Sequence, residues 1–374
     1  MKILFVLDYY FPYTGGSEIL FKTLAEGLAS RGHEVTVLTA HVAGAKKNEV
    51  LNSVSVHRIA VPSVLPRYFF MKLSFFWLVR HAKKYDIIHT TSCGSSLSAW
   101  LASKMFRVPS VITVHEVIGS DWSQFYGMGR AKAWAMKLLE RIMVTRSHTK
   151  HVTVSHSTRR NLEKLGVKKI SVVHNALDYN HWNPRRYTGF RKNMRDELGV
   201  GPKEFLYVFY GRPGVSKGVE YLIKAIPKIA EKIPFSRALF IMGREPAERY
   251  SFMKKLLKKH GKGRAILHNP VGYGDLPKYL MAADAVVVPS ITEGFGFCVA
   301  ESCALGKPVV ASNTTSIPEV VSGKFVLVPP KNPSAIASGV EMVKKKRYMK
   351  TPLKKFSVEK FLDGYERVYK RLQR

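Results

Sequence analysis

Two carboxylates eight positions apart, in Thr292-Glu293-Gly-Phe-Gly-Phe-Cys-Val-Ala-Glu301, carry the strongest chemical signal in the chain. They lie between a strand ending near Pro289 and a new helix. The backbone of Gly294, Phe295, Gly296, Phe297, Cys298 and Val299 can therefore come close to a ligand and offer it the free amides of a helix start. Glu293 and Glu301 can accept hydrogen bonds from hydroxyl groups, so the segment suits a ligand that is both polyhydroxylated and anionic. The competing reading is structural: Glu293 is solvated and Glu301 only complements a helix dipole.

A cationic turn comes earlier, in Tyr210-Gly211-Arg212-Pro-Gly-Val-Ser-Lys217-Gly218, after one strand and before one helix. Arg212, through its fork of donors, and Lys217, as a point charge, can clamp a diphosphate there. Each such contact contributes about 1.5–3 kcal/mol when partly desolvated. Near the N-terminus, Gly15 and Gly16 likewise follow a strand and open a helix, where open α/β sheets bind ligands. Their spacing is not Gly-x-Gly-x-x-Gly, so a dinucleotide fingerprint is unsupported. Among thirteen histidines, His115 stands out because it ends the strand Pro109–Val114 and precedes Glu116. A reacting group is expected at such a strand's carboxyl end, although a lone histidine can equally be structural.

The elements that must hold these groups are short apolar runs alternating with helix-length segments. They include Ile3–Leu7, Ser17–Ser30, Val35–Leu38, Ser95–Phe106 and Ser110–Val114 in the first half, and Phe205–Tyr210, Val219–Lys232 and Ala285–Val288 in the second. This alternation predicts two doubly wound parallel-sheet domains. Residues 1–178 form the first, completed by a C-terminal amphipathic helix over 357–374. Residues 203–356 form the second, and 179–202, which lack clear periodicity, are expected to be a linker.

With 374 residues, 46% of them hydrophobic, the chain can bury substantial cores, which excludes a disordered or stapled mini-protein. Cys93, Cys298 and Cys303 are too few for a disulfide framework and read as small apolar filler in a reducing compartment. The run Met1–Asp8 is too short for a signal peptide, and no run reaches the roughly 18 apolar residues of a spanning helix. Net charge is +33, and an excess of that size attracts polyanions by sign alone. The excess is uneven: Asn52–His115 holds eight Lys or Arg against Asp86 alone, and Gly129–His174 holds eleven against Glu140 and Glu163.

Taken together, Glu293 with Glu301, Gly211-Arg212 with Lys217-Gly218, Gly15-Gly16 and Thr-Val-His115 resemble the retaining GT-B glycosyltransferases of the large family four type. Val154-Ser155-His-Ser and His174-Asn175-Ala-Leu-Asp178 are similar to that family's signposts before the hinge. The resemblance implies a GT-B fold, two Rossmann-like doubly wound parallel-sheet domains facing a cleft. It places Arg212 and Lys217 on the donor's diphosphate, Glu301 on its ribose, and Glu293 with the amides from Gly294 to Val299 on the donor sugar and its phosphate. Gly16 would close on the diphosphate, His115 would approach the donor sugar, and the base would sit near Val271-Gly272-Tyr273. The chain departs from the family's pattern at Pro213-Gly214-Val215-Ser216 and at Asn175-Ala176.

The implied activity is transfer of a hexose from a nucleotide-diphosphate sugar, with uridine, guanosine or adenosine as base, to a lipid-linked, glycan or small-molecule acceptor. Neither metal nor cofactor is expected. A nucleotide-sugar epimerase or phosphorylase of the same fold is the enzymatic alternative, and a basic polyanion- or nucleic-acid-binding protein the non-enzymatic one. No nucleic-acid module is recognisable, so no specific nucleic acid is expected. Residues 66–84 interleave aromatics with Arg67, Lys72, Arg80, Lys83 and Lys84, and residues 129–146 repeat the mixture around Trp134 and Leu138. Both suit an anionic membrane surface, giving a cytoplasmic protein peripheral to the inner face of the plasma membrane. A core helix with a basic outer face would read the same way.

Overall fold

The computed structural model describes residues 1–13, 15–118, 122 and 129–373. It divides into two compact units, Met1–Ala176 with Phe356–Arg374, and Leu177–Lys355. In the first, strands β1 (Lys2–Leu7), β2 (Glu34–Ala40), β3 (Asn48–Leu51), β4 (Val54–Ile59), β5 (Ile87–Thr91), β6 (Ser110–Val114), β7 (Lys150–Thr153) and β8 (Ile170–Val172) form one sheet in the order β3-β4-β2-β1-β5-β6-β7-β8. In the second, β9 (Phe205–Gly211), β10 (Ser236–Met242), β11 (Ala265–His268), β12 (Ala285–Val288), β13 (Val309–Ser312), β14 (Lys324–Val328) and β15 (Met349–Lys350) follow the order β11-β10-β9-β12-β13-β14-β15.

Helices cover the faces of these sheets, so the central strands are buried on both sides. That is why β1 and β12 read as unbroken apolar runs rather than alternating ones. The exceptions to parallel pairing are at the edges, β3 with β4 and β14 with β15. The β3–β4 hairpin turns through Asn52 and Ser53, both at positive φ, the backbone of a two-residue primed turn.

Strand order also determines where a ligand can sit. In the first unit the chain builds outward from β1 and then crosses to β5. In the second it builds from β9 through β10 and β11, then returns to β12. The switch points therefore fall between β1 and β5 and between β9 and β12, where diverging loops leave a crevice at the strands' carboxyl ends.

The stretch 179–202, expected as a linker, is part of the second unit and contains the helix Phe190–Glu197. It shows little apolar periodicity because arginines hold it. Arg195 is buried, donating to the carbonyls of Gly201 at 2.7 Å and Glu204 at 2.6 Å, and Arg191 meets Asp284 at 2.7 Å.

The helix Val358–Lys370 belongs to the first unit and buries Phe361, Leu362, Tyr365, Val368 and Tyr369. It lies so close to the helix Gly16–Ser30 that a Cβ on Gly27 would come within 2.6 Å of Leu362. A buried polar chain pins it to the sheet. Tyr369 Oη lies 2.6 Å from His89 Nδ1, His89 Nε2 lies 2.8 Å from Thr113 Oγ1, and Thr113 Oγ1 lies 2.9 Å from Tyr365 Oη. Burial pushes His89 down to about 3, so the ring is neutral. One of its nitrogens accepts and the other donates, which links the hydroxyls of Tyr369 and Thr113 through the ring.

Tyr369→Phe leaves the buried Nδ1 of His89 without a partner and should cost about 1–3 kcal/mol. Tyr365→Phe should cost less, because Thr113 keeps its bond to His89. Urea unfolding of both variants checks this, and equal losses would contradict the central place of His89 in the chain.

Candidate active site

At the β9–β12 switch point, strand β9 exits through Gly211 and Arg212 into a short turn, Val215–Lys217, and Gly218 then starts the helix Val219–Lys232. Gly218 has φ +59°, and a Cβ there would stand 2.2 Å from the carbonyl oxygen of Pro289, so no other residue fits. The loop after β12 is tied to the same turn, Ile291 donating its amide to the carbonyl of Ser216 at 2.7 Å. This contact brings Lys217 to Glu293, with Nζ 2.7 Å from Oε1 and 2.9 Å from Oε2. Glu293 is only 8% exposed, which sets aside the solvated reading, and Ser290 Oγ also donates to it at 2.8 Å.

Three further hydroxyls hold the backbone here, and the sequence reading missed them. Thr315 Oγ1 accepts from the amide of Glu293 at 2.9 Å, Ser316 Oγ donates to the Glu293 carbonyl at 2.9 Å, and Thr314 Oγ1 donates to the carbonyl of Ile291 at 3.0 Å. Their signal was the hydroxyl-rich run Thr314-Thr-Ser316 just past β13.

Gly296, at φ +96°, caps the helix Phe297–Ala304. Phe295 is buried and packs edge-on against Phe297 with ring centroids 5.3 Å apart; Val299 is buried beneath, while Cys298 directs Sγ toward the carbonyl of Tyr210 at 3.7 Å. Burial lifts the Cys298 thiol to about 12, so it is an unionised weak donor. Glu301 is the helix's fifth residue, outside the first turn, so it does not serve the helix dipole.

Glu301 is 7% exposed and lies 2.7 Å from the hydroxyl of Tyr210, a residue the sequence reading did not single out for this role. That hydroxyl has one proton and two acceptors in reach, Glu301 Oε2 and the carbonyl of Cys298 at 2.9 Å. A protonated Glu301 satisfies both by donating to Tyr210, which then donates to Cys298. Burial, partly offset by Tyr210 and Lys217, pushes Glu301 up to about 7. The hydroxyl of Tyr273 accepts from Trp182 Nε1 at 2.8 Å and its ring stacks on His181 at 4.5 Å; burial first, and then the nearby Glu301, push its phenol up to about 12. Arg212 is exposed, and no hydrogen bond or ion pair engages it among the described residues.

In the first unit, Gly15 and Gly16 lie at the carboxyl end of β1, opening the helix Gly16–Ser30. Beside them Asp8 accepts the amides of Ser95 at 2.8 Å and Gly94 at 3.2 Å, capping the helix Ser95–Phe106 that follows β5. His115 follows β6; its Nε2 is shielded from solvent with no partner among the described residues, and Phe21 meets the ring edge-on at 5.9 Å. Burial pushes it down to about 4, leaving a neutral imidazole suited to hydrogen bonding rather than proton transfer at pH 7. Among the described residues no group of three or more His, Cys, Asp or Glu is placed to hold a metal ion.

Two switch-point crevices, one carrying an ammonium, a guanidinium and two buried carboxylates, define a GT-B glycosyltransferase. The description "Glycosyltransferase Family 4" matches residues 14–181, and "Glycosyl transferases group 1" matches residues 190–357. An uncharacterised glycosyltransferase of Methanocaldococcus jannaschii is 30% identical over 359 residues, covering 92% of this chain and 89% of that protein. A D-inositol 3-phosphate glycosyltransferase of Xylanimonas cellulosilytica is 27% identical over 82% of this chain and 77% of its own length. The chain belongs to this glycosyltransferase family. Its fold matches the sucrose-phosphate synthase of Thermosynechococcus elongatus, with TM-score 0.83 at 20% identity over 100% of this chain and 99% of that one. It also matches Anabaena HepE in complex with UDP and glucose, with TM-score 0.74 at 19% identity over 99% of each.

A carboxyl held near 7 in the folded chain, against its usual 4.5, binds a proton that the unfolded chain has lost between those values. Stability is therefore expected to fall as pH rises from 4.5 to about 7, by about 3 kcal/mol in total. Glu301→Gln, which keeps an acceptor and a donor for Tyr210, should raise the melting temperature at pH 8 and change it little near pH 4.5. Thermal melts at both values check this, and a pH-independent gap would contradict the protonated state.

Proposed function

We propose that this glycosyltransferase moves a hexose from a nucleotide-diphosphate sugar to a lipid-linked, glycan or small-molecule acceptor with retention of anomeric configuration. The observation that carries the reading is Lys217, fixed 2.7 Å from Glu293 beside the amides of a helix start and the unpaired Arg212. An ammonium has three protons, so Lys217 can keep Glu293 and still donate to a phosphate oxygen. The relative in Anabaena was crystallised with UDP and glucose, which supports a nucleotide-sugar donor here.

In the proposed reaction the bond between the anomeric carbon and the phosphate oxygen breaks, and its electron pair leaves with the nucleoside diphosphate. Arg212, Lys217 and the amides following Gly294 meet the growing negative charge. The acceptor oxygen bonds to the anomeric carbon on the face the phosphate leaves, and its proton passes to the departing phosphate oxygen. Glu293 positions the sugar and forms no covalent adduct. His115, neutral at pH 7, supplies a hydrogen bond to the donor sugar, and Glu301 contacts the ribose. No step draws on a metal or cofactor. An epimerase or phosphorylase would need an acid–base set or a cofactor lysine segment that this sequence does not display.

A membrane-proximal acceptor is the second element of the proposal. On the helix Pro66–His81, Phe70, Ser74 and Leu78 face the core, and the opposite face exposes Tyr68, Phe76, which is 60% accessible, and Val79 beside Lys72 and Arg80. The helix Arg130–Thr145 exposes Trp134, 66% accessible, with Leu138 and Leu139. Apolar side chains flanked by cations suit the headgroup region of an anionic bilayer on the cytoplasmic side. No helix among the described residues is long and apolar enough to cross a membrane.

Melting temperature measured against a panel of nucleoside diphosphates and their sugars should rise with one base. Arg212→Ala and Lys217→Ala should each weaken that nucleotide roughly 10- to 150-fold. No response to any nucleotide would sink the donor assignment, and a glycosyl–Glu293 adduct in mass spectra would sink the mechanism. Co-sedimentation should favour vesicles rich in anionic lipid over neutral ones and weaken with salt. Equal partition between the two would remove the membrane element.

A further inference from the structure

Tyr273 stands on the loop after β11, at the edge of the second unit's sheet. Strands β11, β10, β9 and β12 pair in parallel, so this loop leaves the sheet at the same end as the loops that carry Lys217 and Glu293. The Tyr273 ring is 48% exposed and lies within electrostatic reach of Glu301. Its loop has little to hold itself in place. Gly272 and Gly274 flank Tyr273, and a Cβ at either would meet nothing within 4 Å, so packing does not fix the backbone there. The local bonds are those of one turn, the amides of Asp275 and Leu276 donating to the carbonyl of Gly272 at 3.0 and 3.1 Å.

Two residues 91 and 92 positions earlier in the chain, Trp182 and His181, reach this loop. Asp178 shapes the turn that presents them. Its Oδ1 accepts the amides of Asn180 at 2.9 Å and His181 at 3.2 Å, and its carbonyl accepts the amide of Trp182 at 2.9 Å. Trp182 is fully buried, and an indole nitrogen can only donate, so the bond of 2.8 Å runs from Nε1 to the Tyr273 hydroxyl. His181 Nε2 faces the carbonyl of Tyr273 at 3.1 Å and must donate as well. The imidazole also lies against the phenol ring, 18° from parallel. Tyr273 is thereby held at its hydroxyl, its ring face and its backbone carbonyl.

The geometry points to Trp182 and His181 as positioning residues for the base end of the donor site, acting through Tyr273 on the backbone of residues 271–274. This rests on the donor reading above, with the base near Val271-Gly272-Tyr273. A base read by main-chain groups meets donors and acceptors that no side-chain rotation can re-aim, and hydrogen bonds weaken steeply as their angle departs from linear. Selectivity among bases then depends on where the loop stands. A loop with a glycine on each side of its one large residue would lose conformational freedom each time a base arrived, and fixing it beforehand removes that loss. The diphosphate contacts assigned to Arg212 and Lys217 come from the loop after β9 and do not pass through Tyr273.

The test is calorimetric titration of UDP, GDP, ADP and inorganic pyrophosphate into the native chain, Trp182→Phe, Tyr273→Phe and the two substitutions combined. Trp182→Phe keeps an aromatic ring and removes the donor; Tyr273→Phe removes the acceptor. The nucleotide that binds the native chain best should weaken roughly 3- to 10-fold in each single variant, and no further in the double one, because all three lack the same hydrogen bond. Preference among the three bases should shrink alongside. Pyrophosphate has no base and should bind all four proteins alike, whereas general damage to the fold would weaken it too. His181→Leu should repeat the pattern, and with Tyr273→Phe it carries the test if Trp182→Phe does not fold. If the native chain binds none of the nucleotides, the donor reading fails and the assignment falls with it. Nucleotide affinity within about twofold of native in Tyr273→Phe, an equal weakening of pyrophosphate, or losses that multiply in the double variant overturn the positioning role while leaving the donor site in place.

Discussion

Taking the Glu293 carboxylate out of water costs several kcal/mol unless a cation and hydrogen-bond donors meet it. Lys217 and Ser290 are those partners, and bringing Lys217 there sets the geometry of everything around it. The ammonium comes from the loop after β9 and the carboxylate from the loop after β12, so the two strands must pair in register, Tyr207 opposite Ala285 and Val208 opposite Val286. The turn must then fold flat against Pro289, which only a glycine at Gly218 permits. The resulting cation is already desolvated and oriented, so little reorganisation is left for the moment at which negative charge develops beside it.

Burial, rather than pairwise charge, decides the protonation states around this framework. On a chain of net charge +33 an acid should ionise readily, yet Glu301 is pushed up to about 7 because burial outweighs the nearby Lys217. Burial works in the opposite direction on bases: it holds His89 and His115 neutral, helped at His89 by the neighbouring rings of His115 and His148. Exposed charges in water interact by about 1 kcal/mol at 4 Å, whereas full burial moves a titration by several units. The two ends of the chain depend on this neutrality. Only a neutral His89 can accept from one hydroxyl while donating to the other, and that alternation between Tyr369 and Thr113 docks the last helix on a sheet begun by the first strand.

Legibility followed the kind of force involved. Strands β1, β9 and β12 and the helices Val219–Lys232 and Ser95–Phe106 could be read because apolar burial writes itself as periodicity. Glu293, Glu301, Arg212 and Lys217 could be picked out because glycines at strand ends mark where backbone approaches a ligand. The pairing of Lys217 with Glu293 could not, since 76 residues separate them and their loops meet once β9 and β12 lie side by side. The helix Phe190–Glu197 stayed hidden because arginines bonded to carbonyls leave no hydrophobic pattern. The β3–β4 hairpin did carry a signal, Asn52 at a two-residue turn, but without the glycine that usually makes such a turn conspicuous.

The charge excess therefore does two physically distinct things. At Lys217 the cation is paired, three-quarters shielded and hydrogen-bonded, so mobile ions reach it poorly. On the outer faces of the helices Pro66–His81 and Arg130–Thr145 the cations stand in solvent, where a screening length of about 8 Å at physiological salt erases most of their reach. Ionic strength thus acts as a chemical scalpel on this molecule, weakening what the exposed surface attracts while leaving the buried pair intact. A polyanion held by surface charge alone would be released by salt. A diphosphate gripped beside Glu293 would respond less, because Lys217 there is paired and mostly shielded, although Arg212 stands in solvent.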